Sequence, residues 1–279
     1  MLSPICGYHR YGMSAPTVIV FDSGLGGLTV YREVVKLLPG ARYVYCADDL
    51  NFPYGDLDEA TLTKRVLAVM QSLEKRYQAD LVVVACNTAS TVALTALRER
   101  FDVPFVGTVP AVKPAASLSS SKLISVLGTE TTVQREYTRA LIRNFASDCD
   151  VTLVGSTRLA AIAEAHLRGE SLDDAAILRE IEPCFVQKDN ARTDVVVLGC
   201  THYPLLLEKL QRLAPWPVEW LDPAPAIARR VADLLPGSDG SAAGEAPLAV
   251  FTSGRPPIDV LRRFGLEVDP NTLQIPVSS

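Results

Sequence analysis

Short apolar runs alternate along the chain with longer segments whose apolar residues recur every three or four positions. The runs predict β-strands and the longer segments predict amphipathic helices, because side chains repeat every two residues in a strand and about every 3.6 in a helix. The first cycle predicts a strand at Thr17–Phe21, a helix at Leu28–Leu38 and a strand at Arg42–Cys46. A helix at Asp58–Gln78 and a strand at Leu81–Ala85 form the next cycle.

The alternation continues towards the end of the chain. The remaining predicted elements are helices at Thr88–Phe101 and Leu159–Leu167 and strands near Leu123–Leu127, Val151–Val154, Val195–Leu198, Val218–Leu221 and Leu248–Thr252. Strands separated by helices pair in parallel and are covered by helices on both faces, so the predicted fold class is α/β. Ligands bind such folds where strands end and helices begin, and candidate functional residues are sought there.

One segment of the sequence is repeated. Residues Asp80–Asn87 and Asp194–Thr201 both read Asp, an apolar strand, a small residue, Cys and a small polar residue. We interpret the repeat as two similar α/β halves with a thiol at the same structural position in each. The predicted organisation is a flexible extension over 1–14, domain A over 15–110 with Cys86, domain B over 111–221 with Cys200, and a segment over 222–279 that returns to domain A.

Composition excludes several classes of protein. Hydrophobic residues make up 48% of the 279 residues and charged residues 21%, which is typical of a folded globular chain. The net charge of −5 and the lack of a basic run argue against nucleic acid as a partner. No apolar stretch is long enough to span a membrane, and the first residues lack the apolar core of a signal peptide. We therefore expect a cytoplasmic protein.

The cysteines carry the most informative chemistry. None of the six belongs to a Cys-x-x-Cys pair and the chain has three histidines, so a zinc site or a disulfide framework is not predicted. Cys86 and Cys200 each follow a strand and precede a predicted helix, whose N-terminus favours the thiolate by lowering the pKa of the thiol. The other four are interpreted as small buried apolar residues, and they are Cys6, Cys46, Cys149 and Cys184.

A matched pair of thiols in two facing halves suggests racemisation without a cofactor. One thiolate would remove the Cα proton from one face of the substrate while the opposite thiol returns a proton to the other face. The Gly-rich turn at Asp22–Gly27 is a weak signal for phosphate, and its backbone N–H groups could equally hold a carboxylate. Asp22 competes as a simple turn or N-cap residue, and His202 lies close enough in sequence to assist Cys200.

Four motifs together resemble those of glutamate racemases, within the cofactor-independent aspartate/glutamate racemase superfamily. They are Asp22–Gly27 (DSGLGG), Phe52–Gly55 (FPYG), Ala85–Ser90 (ACNTAS) and Leu198–Pro204 (LGCTHYP). The resemblance implies a two-domain fold with the active site in the interdomain cleft. It also implies interconversion of L-glutamate and D-glutamate without pyridoxal phosphate or a metal, for peptidoglycan synthesis in a bacterial cytoplasm.

The same resemblance implies roles for individual residues. Cys86 and Cys200 would be the two acid/base catalysts, with Asp22 assisting the first and His202 and Glu164 the second. The implied substrate-binding residues are Asp22, Ser23, Tyr54, Gly55, Asn87, Thr88, Thr201 and His202. Gly128, Thr129 and Thr132 fall where the family has further polar pocket residues. Hydroxyl, amide and backbone N–H groups of this kind can hold two carboxylates without an arginine.

One departure from the family pattern and several alternatives stay open. Many members have a Cys-Pro pair where this chain has Gly155–Thr157. The stretch resembles a subgroup that is activated by a peptidoglycan precursor, and the oligomeric state could be monomer or homodimer. The alternatives are a racemase for aspartate, hydantoin or another small carbon acid, a Cys/His hydrolase or amidotransferase built on Cys200 and His202, and a non-enzymatic binding or interaction protein.

Overall fold

Alternate residues of the first strand face two different apolar layers, which is how a parallel sheet is buried on both sides. Val18 and Val20 pack against one set of helices, whereas Ile19 and Phe21 pack against the other, and all four are inaccessible to solvent. The structure, a computed structural model, describes residues 15–236, 245–271, 273 and 275. The extension predicted over 1–14 lies outside the described residues.

Twelve strands are found among the described residues. They are β1 (Thr17–Asp22), β2 (Arg42–Ala47), β3 (Leu81–Val84), β4 (Phe105–Gly107), β5 (Leu123–Thr129), β6 (Asp150–Ser156), β7 (Gln187–Lys188), β8 (Ala191–Arg192), β9 (Val195–Gly199), β10 (Glu219–Leu221), β11 (Leu248–Phe251) and β12 (Glu267–Val268). The short strands β4, β7, β8 and β12 lie outside the predicted strands, whereas the other eight fall where the apolar runs lie in the sequence.

The helices fill the intervals between the strands. They are α1 (Leu28–Leu37), α2 (Glu59–Tyr77), α3 (Asn87–Arg100), α4 (Val112–Leu118), α5 (Glu130–Gln134), α6 (Glu136–Phe145), α7 (Leu159–Leu167), α8 (Asp174–Ile181), α9 (Leu207–Leu213), α10 (Ala224–Leu234) and α11 (Ile258–Arg263). Short 3₁₀ turns occur at Asp49–Asn51, Tyr54–Asp56, Glu182–Cys184 and Tyr203–Leu206.

Two parallel sheets organise these elements, and the predicted α/β fold with helix-flanked parallel sheets is confirmed. The first sheet has the strand order β12-β11-β2-β1-β3-β4, and the second has the order β10-β9-β5-β6. All neighbouring strands within these two sheets run parallel, whereas β7 and β8 form a small antiparallel pair. Strands β11 and β12 of the C-terminal segment extend the first sheet at its β2 edge.

The repeated segments occupy equivalent places in the two sheets. Strand β3 lies beside β1, and Asp80 just before it accepts the backbone N–H of Thr17 at 2.8 Å. Strand β9 lies beside β5, and Asp194 just before it accepts the N–H groups of Ser120 and Ser121 at 2.8 Å each. In both halves this aspartate fixes the chain that leads into the neighbouring strand, so the repeat extends beyond the cysteines.

Among the described residues, no helix combines the length and the apolarity that crossing a membrane requires.

Candidate active site

The predicted functional residues gather at the carboxyl ends of strands from both sheets. Asp22 ends β1 and Cys86 follows β3 in the first sheet, whereas Cys200 follows β9 and Thr129 ends β5 in the second. Parallel strands present their carboxyl ends at one edge of a sheet, and the two edges here meet at the interface between the halves. Hydrogen bonds described below join residues of the two sheets directly across this interface.

Cys86 occupies the N-cap position of α3. Its Sγ accepts the N–H of Ala89 at 3.5 Å and lies 3.8 Å from the Ser23 hydroxyl. The expectation that the helix terminus lowers the pKa of this thiol is wrong. Burial and the nearby charge of Asp22 outweigh the N–H of Ala89 and raise the pKa of Cys86 to about 12. Cys86 is therefore a protonated thiol near neutral pH.

Cys200 has a different setting. It is followed by a turn and the 3₁₀ segment Tyr203–Leu206, and α9 begins only after that. Its Sγ lies 3.7 Å from Nδ1 of His202, within hydrogen-bonding distance for sulfur. Cys86 and Cys200 keep only 6% and 7% of their surface exposed, so both sulfurs are largely withdrawn from water.

His202 links Cys200 to a buried carboxylate. Its Nε2 lies 3.1 Å from Glu164 Oε1 and also 3.1 Å from the backbone N–H of Gly26. One ring nitrogen cannot donate to the first and accept from the second at the same time. Burial alone would lower the pKa of His202, but the hydrogen bonds to Cys200 and Glu164 and the charge of Asp22 raise it to about 10. The imidazolium form, which donates to Glu164, is therefore favoured at neutral pH.

Glu164 is held in the interface from several directions. Its Oε1 accepts the N–H of Leu25 at 2.8 Å, and its Oε2 pairs with Arg168 at 2.5 Å. Burial opposes ionisation, but the contacts with His202 and Leu25 and the charge of Arg168 keep the pKa of Glu164 below its usual value. Helix α7 carries Glu164, and the N–H of its first residue, Leu159, donates to the Ser156 hydroxyl at 3.0 Å. Ser156 stands in the stretch that departs from the family pattern.

Asp22 connects the two halves as well. Its Oδ2 accepts a hydrogen bond from the Thr201 hydroxyl at 3.0 Å, and its Oδ1 accepts the N–H of Gly24 at 2.9 Å. Complete burial raises the pKa of Asp22, although the charge of His202 opposes this. Asp22 therefore lies between the two cysteine sites and acts on Cys86 through its charge.

The Gly-rich turn serves the interface. The N–H groups of Gly24, Leu25 and Gly26 face Asp22, Glu164 and His202 respectively. The turn thus binds two carboxylates of the protein itself and packs Gly26 against the His202 ring, so it is not open to a phosphate. A Cβ at Gly24 would overlap Glu164, and one at Gly26 would overlap His202, so glycine is required for this close approach.

A cluster of small polar groups lies near Cys86. The hydroxyls of Thr129 and Thr132 are 2.9 Å apart, and the Thr88 hydroxyl lies 3.3 Å from Thr129 across the interface. Asn87 is buried, and neither atom of its side-chain amide has a hydrogen-bond partner among the described residues. A buried unsatisfied amide is costly, and such a group is suited to receive a polar ligand.

Tyr54 and Gly55 do not offer side-chain groups to a ligand. The Tyr54 hydroxyl is buried and donates to Asp48 at 2.6 Å, which turns it away from a ligand role. The Gly55 carbonyl accepts a hydrogen bond from Thr131 of the second half at 2.6 Å. Any contribution of Tyr54 and Gly55 to ligand binding therefore has to come from their backbone.

Comparison with known proteins agrees with this arrangement. Residues 20–231 match the family model described as Asp/Glu/hydantoin racemase. The chain belongs to this racemase family. The glutamate racemase of Brucella canis is 54% identical over 255 residues, covering 89% of this chain and 92% of that protein. The glutamate racemase of Agrobacterium fabrum is 52% identical over 259 residues, covering 91% and 95%.

A solved structure agrees with the fold at the level of both domains. The Escherichia coli glutamate racemase, crystallised in complex with L-glutamate and the activator UDP-MurNAc-Ala, matches with a TM-score of 0.83 and 44% identity. The match covers 91% of this chain and 97% of that chain. The two-domain arrangement of the racemase family is consistent with the two sheets seen here, and the enzyme class is that of an isomerase, an amino-acid racemase.

The geometry also bears on the hydrolase alternative. The Cys200 sulfur, the His202 imidazole and the Glu164 carboxylate lie in a row, as the three groups of a hydrolase triad do. Glu164 is the third group of that triad, which the sequence alone did not identify. A thiol beside an oriented imidazole suits proton transfer as well as nucleophilic attack, so the triad-like geometry does not require acyl transfer.

Several residues that shape the site were not among the predicted site residues. Thr131 and Thr29 belong to no motif: Thr131 reaches Gly55 across the interface, and the Thr29 hydroxyl donates to the Thr201 carbonyl at 3.1 Å. Phe52 belongs to the Phe52–Gly55 motif, and its ring lies 5.2 Å from the His202 ring. Thr131 could have been suspected from its place at the carboxyl end of a predicted strand, between two pocket threonines. The contacts of Thr29 and Phe52 depend on how the halves dock.

Replacing Glu164 by glutamine should lower the pKa of His202. Glutamine keeps the shape but removes the negative charge, so the pKa of His202 should fall from about 10 towards its ordinary value near 6.5. The raised pKa stabilises the fold at pH values below about 6.5, and this contribution disappears as the pH rises through about 10. An NMR titration of the imidazole measures the change.

Arg168→Gln is the matched control and should leave His202 protonated at pH 8. An unchanged His202 titration in Glu164→Gln would contradict the assignment.

Proposed function

We propose that this racemase interconverts L-glutamate and D-glutamate without a cofactor, with Cys86 and Cys200 as the two acid/base groups. The similarity to glutamate racemases over nine-tenths of the chain supports the substrate. The observation that carries the mechanism is the pair of cysteines at equivalent strand ends of two parallel sheets, whose flanking residues are hydrogen-bonded across one interface. A substrate between the halves then has one sulfur on each face of its Cα.

The proton balance of the reaction needs one thiolate and one thiol. The thiolate takes the Cα proton of the bound amino acid, and the opposite thiol donates its proton to the other face of the carbanion. The two sulfurs end with their protonation states exchanged, and the net change is the inversion of Cα. In the reverse direction the roles are swapped, so neither sulfur is exclusively acid or base.

The charges around the sulfurs support an assisted proton transfer. The His202 imidazolium, oriented by Glu164, lies beside Cys200 and stabilises negative charge on that sulfur. Cys86 lacks such a cation among the described residues, and burial with the Asp22 charge holds its pKa near 12. The α-ammonium group of a bound amino acid would bring positive charge between the sulfurs, and an opposite charge lowers a thiol pKa. Substrate binding would therefore activate Cys86.

Hydroxyl, amide and backbone N–H donors, without an arginine, suit the two substrate carboxylates. We assign substrate binding to the predicted set, with Asn87 as the strongest member because its buried amide has no partner among the described residues. Ser23, Thr88 and Thr201 add hydroxyl groups, whereas Tyr54 and Gly55 add backbone groups. Charged residues already present, Asp22 and Glu164, are both engaged with partners in the interface.

Aspartate is the second candidate substrate, since the family description covers aspartate, glutamate and hydantoin. The two amino acids differ by one methylene, which is worth only about 1–3 kcal/mol of discrimination in a pocket. The 52–54% identity to glutamate racemases favours glutamate. The proposed role is to supply D-glutamate for peptidoglycan synthesis in the cytoplasm.

The structural neighbour suggests regulation. The E. coli enzyme that matches this chain at 44% identity was crystallised with the activator UDP-MurNAc-Ala. We infer that a peptidoglycan precursor of this kind also activates this racemase. Adding UDP-MurNAc-Ala to the enzyme should raise the rate of racemisation of L-glutamate, and UDP alone serves as the control. An equal rate of racemisation with and without the precursor would show that the precursor does not activate this enzyme.

Circular dichroism at a wavelength where the enantiomers differ follows the proposed reaction directly. The wild-type enzyme should racemise both glutamate enantiomers and turn over aspartate much more slowly. Cys86→Ala and Cys200→Ala should each lower kcat for full racemisation by about a thousandfold, within the range for loss of a general acid or base. Cys149→Ala is the control, because Cys149 directly precedes β6 and so lies at the amino end of that strand, opposite to the carboxyl ends that carry the cleft residues. Retained racemisation in both cleft variants would contradict the two-thiol mechanism.

A further inference from the structure

A second buried carboxylate lies near the site and plays no part in the proton transfers above. Asp48 directly follows β2, and its side chain is completely inaccessible to solvent. Its Oδ2 accepts hydrogen bonds from the Tyr54 hydroxyl at 2.6 Å and from Nε of Arg65 at 2.9 Å. Its Oδ1 accepts hydrogen bonds from Nη2 of Arg65 at 2.6 Å and from the Thr252 hydroxyl at 2.7 Å.

The three partners come from three separate parts of the chain. Arg65 belongs to α2, Tyr54 begins the 3₁₀ turn of the loop after β2, and Thr252 directly follows β11. Burial works against the charge, yet the hydrogen bonds from Arg65, Tyr54 and Thr252 keep the pKa of Asp48 below its usual value. Both carboxylate oxygens are therefore saturated by donors, which fixes the orientation of each partner.

The loop held by Asp48 reaches the other half of the molecule at both of its ends. The ring of Phe52 contacts the ring of His202, with centroids 5.2 Å apart. The Gly55 carbonyl accepts the Thr131 hydroxyl at 2.6 Å. Between these two contacts, Tyr54 is anchored to Asp48 in the first half. The loop thus connects Asp48 to His202 on one side and to α5, which directly follows β5, on the other.

We propose that Asp48, fixed by Arg65 and Thr252, is a positioning residue for racemisation that acts through the Phe52–Gly55 loop. It holds Tyr54 by its hydroxyl, so that the backbone at Tyr54 and Gly55 faces the substrate and Phe52 confines His202 beside Cys200. Thr252 lies beyond the 20–231 stretch that the family model covers, so the C-terminal segment takes part in the site through Asp48. This inference rests on the proposed racemase function.

Two conservative variants test the positioning role. Tyr54→Phe removes only the hydroxyl that Asp48 receives, and Thr252→Val replaces the second donor with a side chain of equal shape. Tyr77→Phe is the matched control. Its hydroxyl also donates to a carboxylate, that of Asp269, at 2.6 Å, and that carboxylate is also paired with an arginine, Arg76. Tyr77 ends α2, about 18 Å along the helix from Arg65.

The expected result separates positioning from stability. In Tyr54→Phe and Thr252→Val, kcat/KM for glutamate should fall about ten- to a hundredfold, with a raised KM, because the loop carries binding groups. Tyr77→Phe should match them in the loss of thermal stability and keep the wild-type kcat and KM. If all three variants stay folded with wild-type kcat and KM, Asp48 is only structural and the inference is overturned. A wild-type enzyme without racemase activity would instead overturn the proposed function.

Discussion

The close approach of a glycine turn to a buried imidazole and carboxylate is the contact on which the rest of this structure depends. The turn after β1 brings Leu25 to Glu164 and Gly26 to His202, across the boundary between the two sheets. A side chain at Gly24 or Gly26 would hold the halves apart. The same contact therefore sets how close the two cysteine sites lie and fixes the carboxylate that keeps His202 charged.

The two sulfurs therefore lie among groups of different charge. Cys200 lies beside the His202 imidazolium, whereas Cys86 lies under the influence of the Asp22 charge and has a raised pKa. The proposed two-thiol reaction needs sulfurs that exchange roles, and the protein alone leaves their surroundings unequal. In that proposal the cationic α-amino group of the substrate lies between the two sulfurs and reduces this inequality.

Much of the framework follows from local sequence. Apolar runs such as Leu81–Val84 predict buried parallel strands, and the repeat that starts at Asp80 and Asp194 predicts paired cysteine sites. The contacts that tune the site do not follow from local sequence, since Glu164 and Leu25 are 139 residues apart. The pKa of Cys86 was predicted in the wrong direction because a helix terminus is visible in the sequence, whereas burial of the thiol and its proximity to Asp22 arise only in the folded structure.

The central claim, that separate sulfurs serve the two faces of Cα, is tested most directly by racemisation in D₂O. Thiols exchange their protons with solvent, so a donor on the far face delivers deuterium. Starting from protiated L-glutamate, the first D-glutamate formed should carry deuterium at Cα while the remaining L-glutamate stays protiated, and the same should hold from D-glutamate. Early product that retains the original hydrogen would show that a single group removes and returns the proton, and would contradict the account.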